Sequence, residues 1–119
     1  MHSSALKIVS YRTRTGRVPF VDWRQRIRNP DAVAAIFARL ARVCQGDLGD
    51  HRNFSGGLSE LRLHFGPGYR IYFARIAPDT LMLLTGGHKG TQHADIRKAK
   101  GFYADHLSQK ARIDPGLPR

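Results

Sequence analysis

The chain has 119 residues, 41% of them hydrophobic, which gives room for one domain with a modest core. No apolar run approaches the roughly 18 residues that a membrane helix needs, and "MHSSALKIVS" lacks the pattern of a secretory signal, so a cytoplasmic protein without a membrane partner is expected. Twenty Lys and Arg against nine Asp and Glu give a net charge of +11, fifteen of the cations being Arg, which points to a polyanionic or acidic partner without choosing one.

Residues 5–11, "ALKIVSY", alternate and predict a first strand, with Leu6 and Ile8 on one side and Lys7, Val9 and Tyr11 on the other. After the basic turn "RTRTGR", Phe20, Trp23 and Ile27 form one stripe of a short helix over Val18–Arg28 that starts at Pro19. "NPDAVAAIFARLARVCQG" predicts a second helix, with Asn29 as N-cap, Pro30 in the first turn and Gly46 as stop. Its buried stripe is Val33, Ile36, Phe37, Leu40 and Val43, and Arg39 and Arg42 read as a solvated face. The lone Cys44 reads as a small apolar residue in a reducing compartment.

"GDLGDHRNFSGG" reads as a loop. Three strands follow, at 58–65, 69–76 and 80–86, joined by "GPG" and "APD" as an antiparallel meander. Ile96, Ala99, Tyr103 and Leu107 then give a C-terminal helix, and the tail 108–119 reads as loose, so the domain is 1–107. The expected fold is α+β, with the helices on one face of the sheet and the other face partly open.

If residues 66–68 are the first turn, His64 faces Arg70, Arg62 faces Tyr72 and Glu60 faces Ala74 on one surface, while Leu61, Leu63, Phe65, Tyr69, Ile71 and Phe73 build the core. A three-residue second turn sets Arg70 opposite Gly86 and brings His88, Lys89, Gln92 and His93 to the same end. Clustered cations with a single carboxylate call for an anion, and phosphate is the natural one. Plainer readings stand beside this one: Glu60 pairing with Arg62, His64 as a surface imidazole, Tyr72 packing with its hydroxyl in water and Thr91 as a helix cap. Arg70, beside a glycine turn and opposite a glycine, has the strongest functional reading. No His or Cys pair has metal-ligand spacing, and no Walker loop or dinucleotide fingerprint occurs, so no cofactor is expected.

"GGLSELRLHFGPGYRIYF" followed by "LLTGGHKGTQHADIRKAKGFYADHL" resembles the RelE/HigB toxins of bacterial toxin–antitoxin modules, and more narrowly their phage-derived addiction-module killer subgroup. The resemblance runs from about Tyr11 to Leu107. It implies a RelE-like fold and a metal-independent endoribonuclease that cleaves mRNA during translation on the ribosome, silenced by a cognate helix-turn-helix, HigA-like antitoxin. Arg70 matches the arginine of the family's tyrosine–arginine strand motif, and Lys89 the basic residue after the last strand. RNA carries its own nucleophile, the 2′-OH, so cleavage needs a proton acceptor, a cation beside the phosphate and an acid for the leaving 5′-oxygen. Arg70 and Lys89 are the candidates for charge stabilisation, His64 and His88 for base and acid, and Arg62, Tyr72 and Gln92 for substrate binding. A ParE-like, non-catalytic toxin that binds gyrase and a basic nucleic-acid-binding domain without activity are the alternatives.

Overall fold

The structure, a computed structural model, describes residues 5–113, with side chains to residue 111. The elements run β1 (Lys7–Ser10), α1 (Pro19–Arg26), α2 (Pro30–Cys44), β2 (His51–Asn53), β3 (Leu58–Leu63), β4 (Tyr69–Ala77), β5 (Thr80–His88) and α3 (Gln92–Ile113). One five-stranded sheet has the order β1-β5-β4-β3-β2, with β1 parallel to β5 and the other neighbours antiparallel. The α+β class and the meander agree with the sequence.

The capping chemistry of α2 is as expected: the Asn29 side chain accepts from the Asp31 N–H at 2.8 Å, and Gly46, at φ +93°, follows its last turn. Two of its side chains depart from the expected pattern. Phe37 is half exposed, under the Arg24 guanidinium 5.6 Å from its ring centre. Arg39 is buried, not solvated, and donates to the carbonyls of Leu48 and Arg62 at 2.7–3.0 Å and to that of Asp50. It therefore pins the segment after α2 to the sheet. That segment, expected to be all loop, contains β2; its three exposed residues carry no apolar alternation, which is how a short edge strand escapes a periodicity search.

Helices cover both faces of the sheet, which corrects the expectation of one covered face. Phe20 and Trp23 of α1 and Ile36, Leu40 and Val43 of α2 pack on Leu61, Leu63, Ile71 and Phe73. On the other face Ala99, with Ile96, Phe102 and Tyr103, closes over Leu58, Tyr72, Ala74, Met82 and Leu84. Helix α3 spans 22 residues and continues past Leu107 to Ile113, so residues 108–113 are helical; 114–119 lie outside the described residues. At about 1.5 Å per residue it outreaches the sheet it crosses, which leaves Leu107, expected in the stripe, half exposed.

Both hairpins differ from the expected register. Between β3 and β4, Leu63 pairs with Tyr69, Arg62 with Arg70, Leu61 with Ile71 and Glu60 with Tyr72, a shift of two that leaves every side chain on its expected face. The loop is 64–68 because Phe65 packs its ring on Tyr69, 5.5 Å between centres, and accepts from the Gly68 N–H in a tight turn. Between β4 and β5 the turn is Pro78–Asp79; the expected pairing holds from Phe73 to Arg75, then a β-bulge at Leu84 advances β5 by one. Arg70 thus faces Gly87 and not Gly86. The bulge presents one glycine to each face: a Cβ on Gly86 would lie 2.3 Å from the Trp23 ring, and one on Gly87 would lie 1.8 Å from Asp95 Oδ2.

Tyr11 ties the first strand to α3 by donating to Asp105, which also accepts from Arg14 Nε at 3.2 Å. Burial, aided by Asp105, pushes this phenol up to about 12. The bond needs the neutral phenol, so its contribution is complete below about pH 10 and is lost as pH rises through about 12. Tyr11→Phe should cost roughly 1–2 kcal/mol at neutral pH. In urea titrations its deficit against the parent should shrink between about pH 10 and 12; a deficit independent of pH would contradict the linkage.

Candidate functional site

Strand alternation puts Glu60, Arg62, Arg70 and Tyr72 on the face covered by α3. Glu60 is fully buried, with Arg62 Nε 3.3 Å from Oε1 and Arg70 Nε 3.9 Å from Oε2, and its Oε2 accepts from Gln92 Nε2 at 2.8 Å. The plain reading of a Glu60–Arg62 pair therefore holds, with Arg70 sharing the same carboxylate. Tyr72 is not in water: it is completely buried, and burial beside Glu60 pushes its phenol well above the usual range. Tyr72 and Gln92, expected to bind substrate, belong to this internal network.

Arg70 is buried at 5% exposure, and its Nη1 donates to the carbonyls of Gly68 and Tyr69, each at 3.2 Å. The Lys89 N–H donates to the same Gly68 carbonyl at 2.9 Å. A Cβ at position 68, where φ is +78°, would lie 3.4 Å from Lys89 Cβ and 3.6 Å from Arg70 Nη1, so the glycine lets the two cationic residues flank one peptide. Lys89 itself is exposed.

The two histidines are placed differently from each other and from expectation. His64 does not face Arg70: it begins the loop after β3, is exposed, and bonds Asp50 through Nε2. That bond holds the Asp50 carboxyl below its ordinary range. His88 pairs in register with Tyr69, on the face opposite Arg70, and its Nδ1 accepts from the Gly90 N–H at 3.0 Å. With Nδ1 accepting, Nε2 carries the proton and is a donor. Thr91 is a capping residue, bonded to the His88 backbone and to Asp95, as its plain reading held. His93 is exposed on α3, and no group of three or more His, Cys, Asp or Glu among the described residues is placed to hold a metal ion.

A cleft of about 600 Å³ opens beside this region, lined from both α1 and α3. Its walls are Trp23, Arg26 and Ile27 from α1 and its exit, Arg28 and Asn29 before α2, Pro67 and Tyr69 around the glycine turn, and His88, Thr91, Asp95 and Lys98 beyond β5. Gly86 and Gly87 also line it, and Pro67, in its lining, adjoins Gly68, whose carbonyl accepts from both Arg70 Nη1 and the Lys89 N–H. Of the sequence candidates only His88 lines it. Arg26, Arg28 and Lys98 escaped the sequence reading; "RQRIRNP" carried a signal in its three arginines around a helix joint, but nothing local linked them to Lys98. Among the described residues no helix is long and apolar enough to cross a membrane.

No family model matches the chain. It is 40% identical over 81 residues to an uncharacterized protein of Haemophilus influenzae, an alignment covering 68% of this chain and 82% of that protein.

Proposed function

We propose, for a chain that belongs to the same family as this uncharacterized Haemophilus influenzae protein, that it is the toxin of a toxin–antitoxin module of the RelE/HigB type and a metal-independent endoribonuclease acting on mRNA, with the translating ribosome as its setting and a helix-turn-helix, HigA-like antitoxin as its silencer. The observation that carries this reading is the convergence of Arg70 Nη1 and the Lys89 N–H on the Gly68 carbonyl, which brings a buried guanidinium and a free ammonium to one loop. Glu60 neutralises one charge of the Arg62–Arg70 pair, so the site keeps a net positive charge for phosphate.

In this reading the 2′-oxygen attacks the adjacent phosphorus, its proton leaves to a base, and Arg70 and Lys89 stabilise the charge that grows on the phosphoryl oxygens. His64, donating through Nε2 to Asp50, presents a free Nδ1 lone pair as proton acceptor, with Asp50 fixing the tautomer. His88, held as a donor at Nε2, serves as a hydrogen-bond donor to the departing 5′-oxygen, and solvent supplies the proton. Induced expression followed by mapping of cellular RNA 5′-ends tests the function: new ends inside translated reading frames are expected. Growth arrest with intact transcripts would refute it.

A further inference from the structure

The cleft beside the glycine turn has a composition that the Arg70–Lys89 pair does not account for. Arg26 and Arg28 come from the joint between α1 and α2, and Lys98 from the second turn of α3. All three are exposed, and none has an ion pair or hydrogen bond to a described residue. Three cations without ion pairs around one cleft give it a positive charge that favours an anion. The only carboxylate in the lining, Asp95, is buried at 7% exposure and already accepts from Thr91, so it does not discharge them.

Two aromatic residues share the lining: Trp23, buried at 7% exposure with its ring against Gly86, and Tyr69. Trp23 and Tyr69 meet edge to face, 6.0 Å between ring centres and 72° between planes, and Tyr69 keeps part of its surface in the cleft. His88, with its Nε2–H, adds a donor to the lining. Exposed cations with a partly exposed aromatic ring among them are what a phosphate and its base require of a protein that holds unpaired nucleotides. A volume of about 600 Å³ admits one or two splayed nucleotides and no duplex.

We infer that this cleft is a binding site for a nucleotide of single-stranded RNA next to the phosphate that is cleaved, with Arg26, Arg28 and Lys98 on the backbone and Tyr69 beside the base. The inference rests on the nuclease reading: Pro67 lines the cleft and the carbonyl of the adjoining Gly68 accepts from Arg70 and Lys89, which makes the two sites neighbours. It assigns the cleft a task separate from the chemical step, holding the strand in register.

Trp23 is the chain's only tryptophan and lines the cleft, so its emission responds to what binds there. The full-length protein would be titrated with a fluorescein-labelled 2′-O-methyl RNA decamer, which lacks the nucleophile, following anisotropy, and with the unlabelled decamer, following Trp23 emission. Binding with quenching is expected, and Arg26→Ser/Arg28→Ser/Lys98→Ser should weaken it at least about tenfold and flatten the log affinity–log salt slope by roughly 2, at about 0.7 per phosphate contact. Lys7→Ser/Arg42→Ser/Arg75→Ser removes the same charge from the far end of the sheet, around the Pro78–Asp79 turn, and should bind within about twofold of the parent. Equal affinity of the parent and the cleft variant, binding without any change in Trp23 emission, or equally tight binding of a duplex DNA of the same length would each overturn the inference. A parent that binds and quenches but cleaves no RNA would sink the nuclease and leave the cleft standing.

Discussion

Lys89→Ala should lower single-turnover cleavage of a short RNA by about 10²–10³-fold while changing the unfolding free energy by no more than about 0.5 kcal/mol. The separation follows from how Lys89 is held. Its side chain is exposed, whereas the contact that fixes its position is its backbone N–H on the Gly68 carbonyl, which alanine retains. Only the ammonium is lost, and an ammonium beside a reacting phosphate acts chiefly on the transition state, where the negative charge is greatest. Arg70→Ala is a poorer probe, since it also strips Glu60 of a counter-ion within a buried network. Arg70→Lys keeps the charge and loses the planar fork, so a rate loss of about tenfold or more with a nearly intact fold is expected. Normal cleavage by Lys89→Ala, with an unchanged melting curve, would remove Lys89 from the chemistry.

The faces of the strands were legible because alternation survives a register error of two: Glu60, Arg62, Arg70 and Tyr72 share a surface in either pairing. The position of His64 was not, because Phe65 gives up its place in the ladder to pack on Tyr69, a choice made by two rings and not by loop length. The bulge at Leu84 was equally hidden, and it alone decides whether Gly86 or Gly87 lies opposite Arg70. Arg39 illustrates a third failure. An arginine on the edge of an apolar stripe looks solvated in a helical projection, and only the carbonyls of Leu48, Asp50 and Arg62, brought by later segments, make its burial favourable. The cover over the polar face was not legible, because the alternation of the strands leaves open which face a helix takes and all the helices are expected on one; in the structure α3 closes the other face, and its Asp95 and Lys98 line the cleft at the sheet end. Arg26, Arg28 and Lys98 meet only through that tertiary arrangement.

Glu60→Ala should destabilise the protein by about 3–5 kcal/mol, the usual cost of leaving a buried ion without its partner. Glu60 is fully buried at the centre of β3, and its two oxygens face Arg62 Nε, Arg70 Nε and the Gln92 amide. Truncation would leave the 5%-exposed Arg70 guanidinium with carbonyls alone and empty the space under α3. Against a total stability of roughly 5–15 kcal/mol for a domain of this class, such a loss lowers the melting temperature by more than about 10 °C. Glu60→Gln should cost less, because its amide oxygen still accepts from Gln92 while the shape is kept. The decisive variant is Glu60→Gln/Arg70→Gln, which removes both charges. If the carboxylate serves to hold Arg70, the double variant should recover most of the stability lost by Arg70→Gln alone, with a coupling of about 1–3 kcal/mol, and should remain inactive against RNA. Additive losses would instead mean that Glu60 acts through Arg62 and Gln92 alone, and Arg70 would then owe its placement to the Gly68 and Tyr69 carbonyls at the end of the glycine turn.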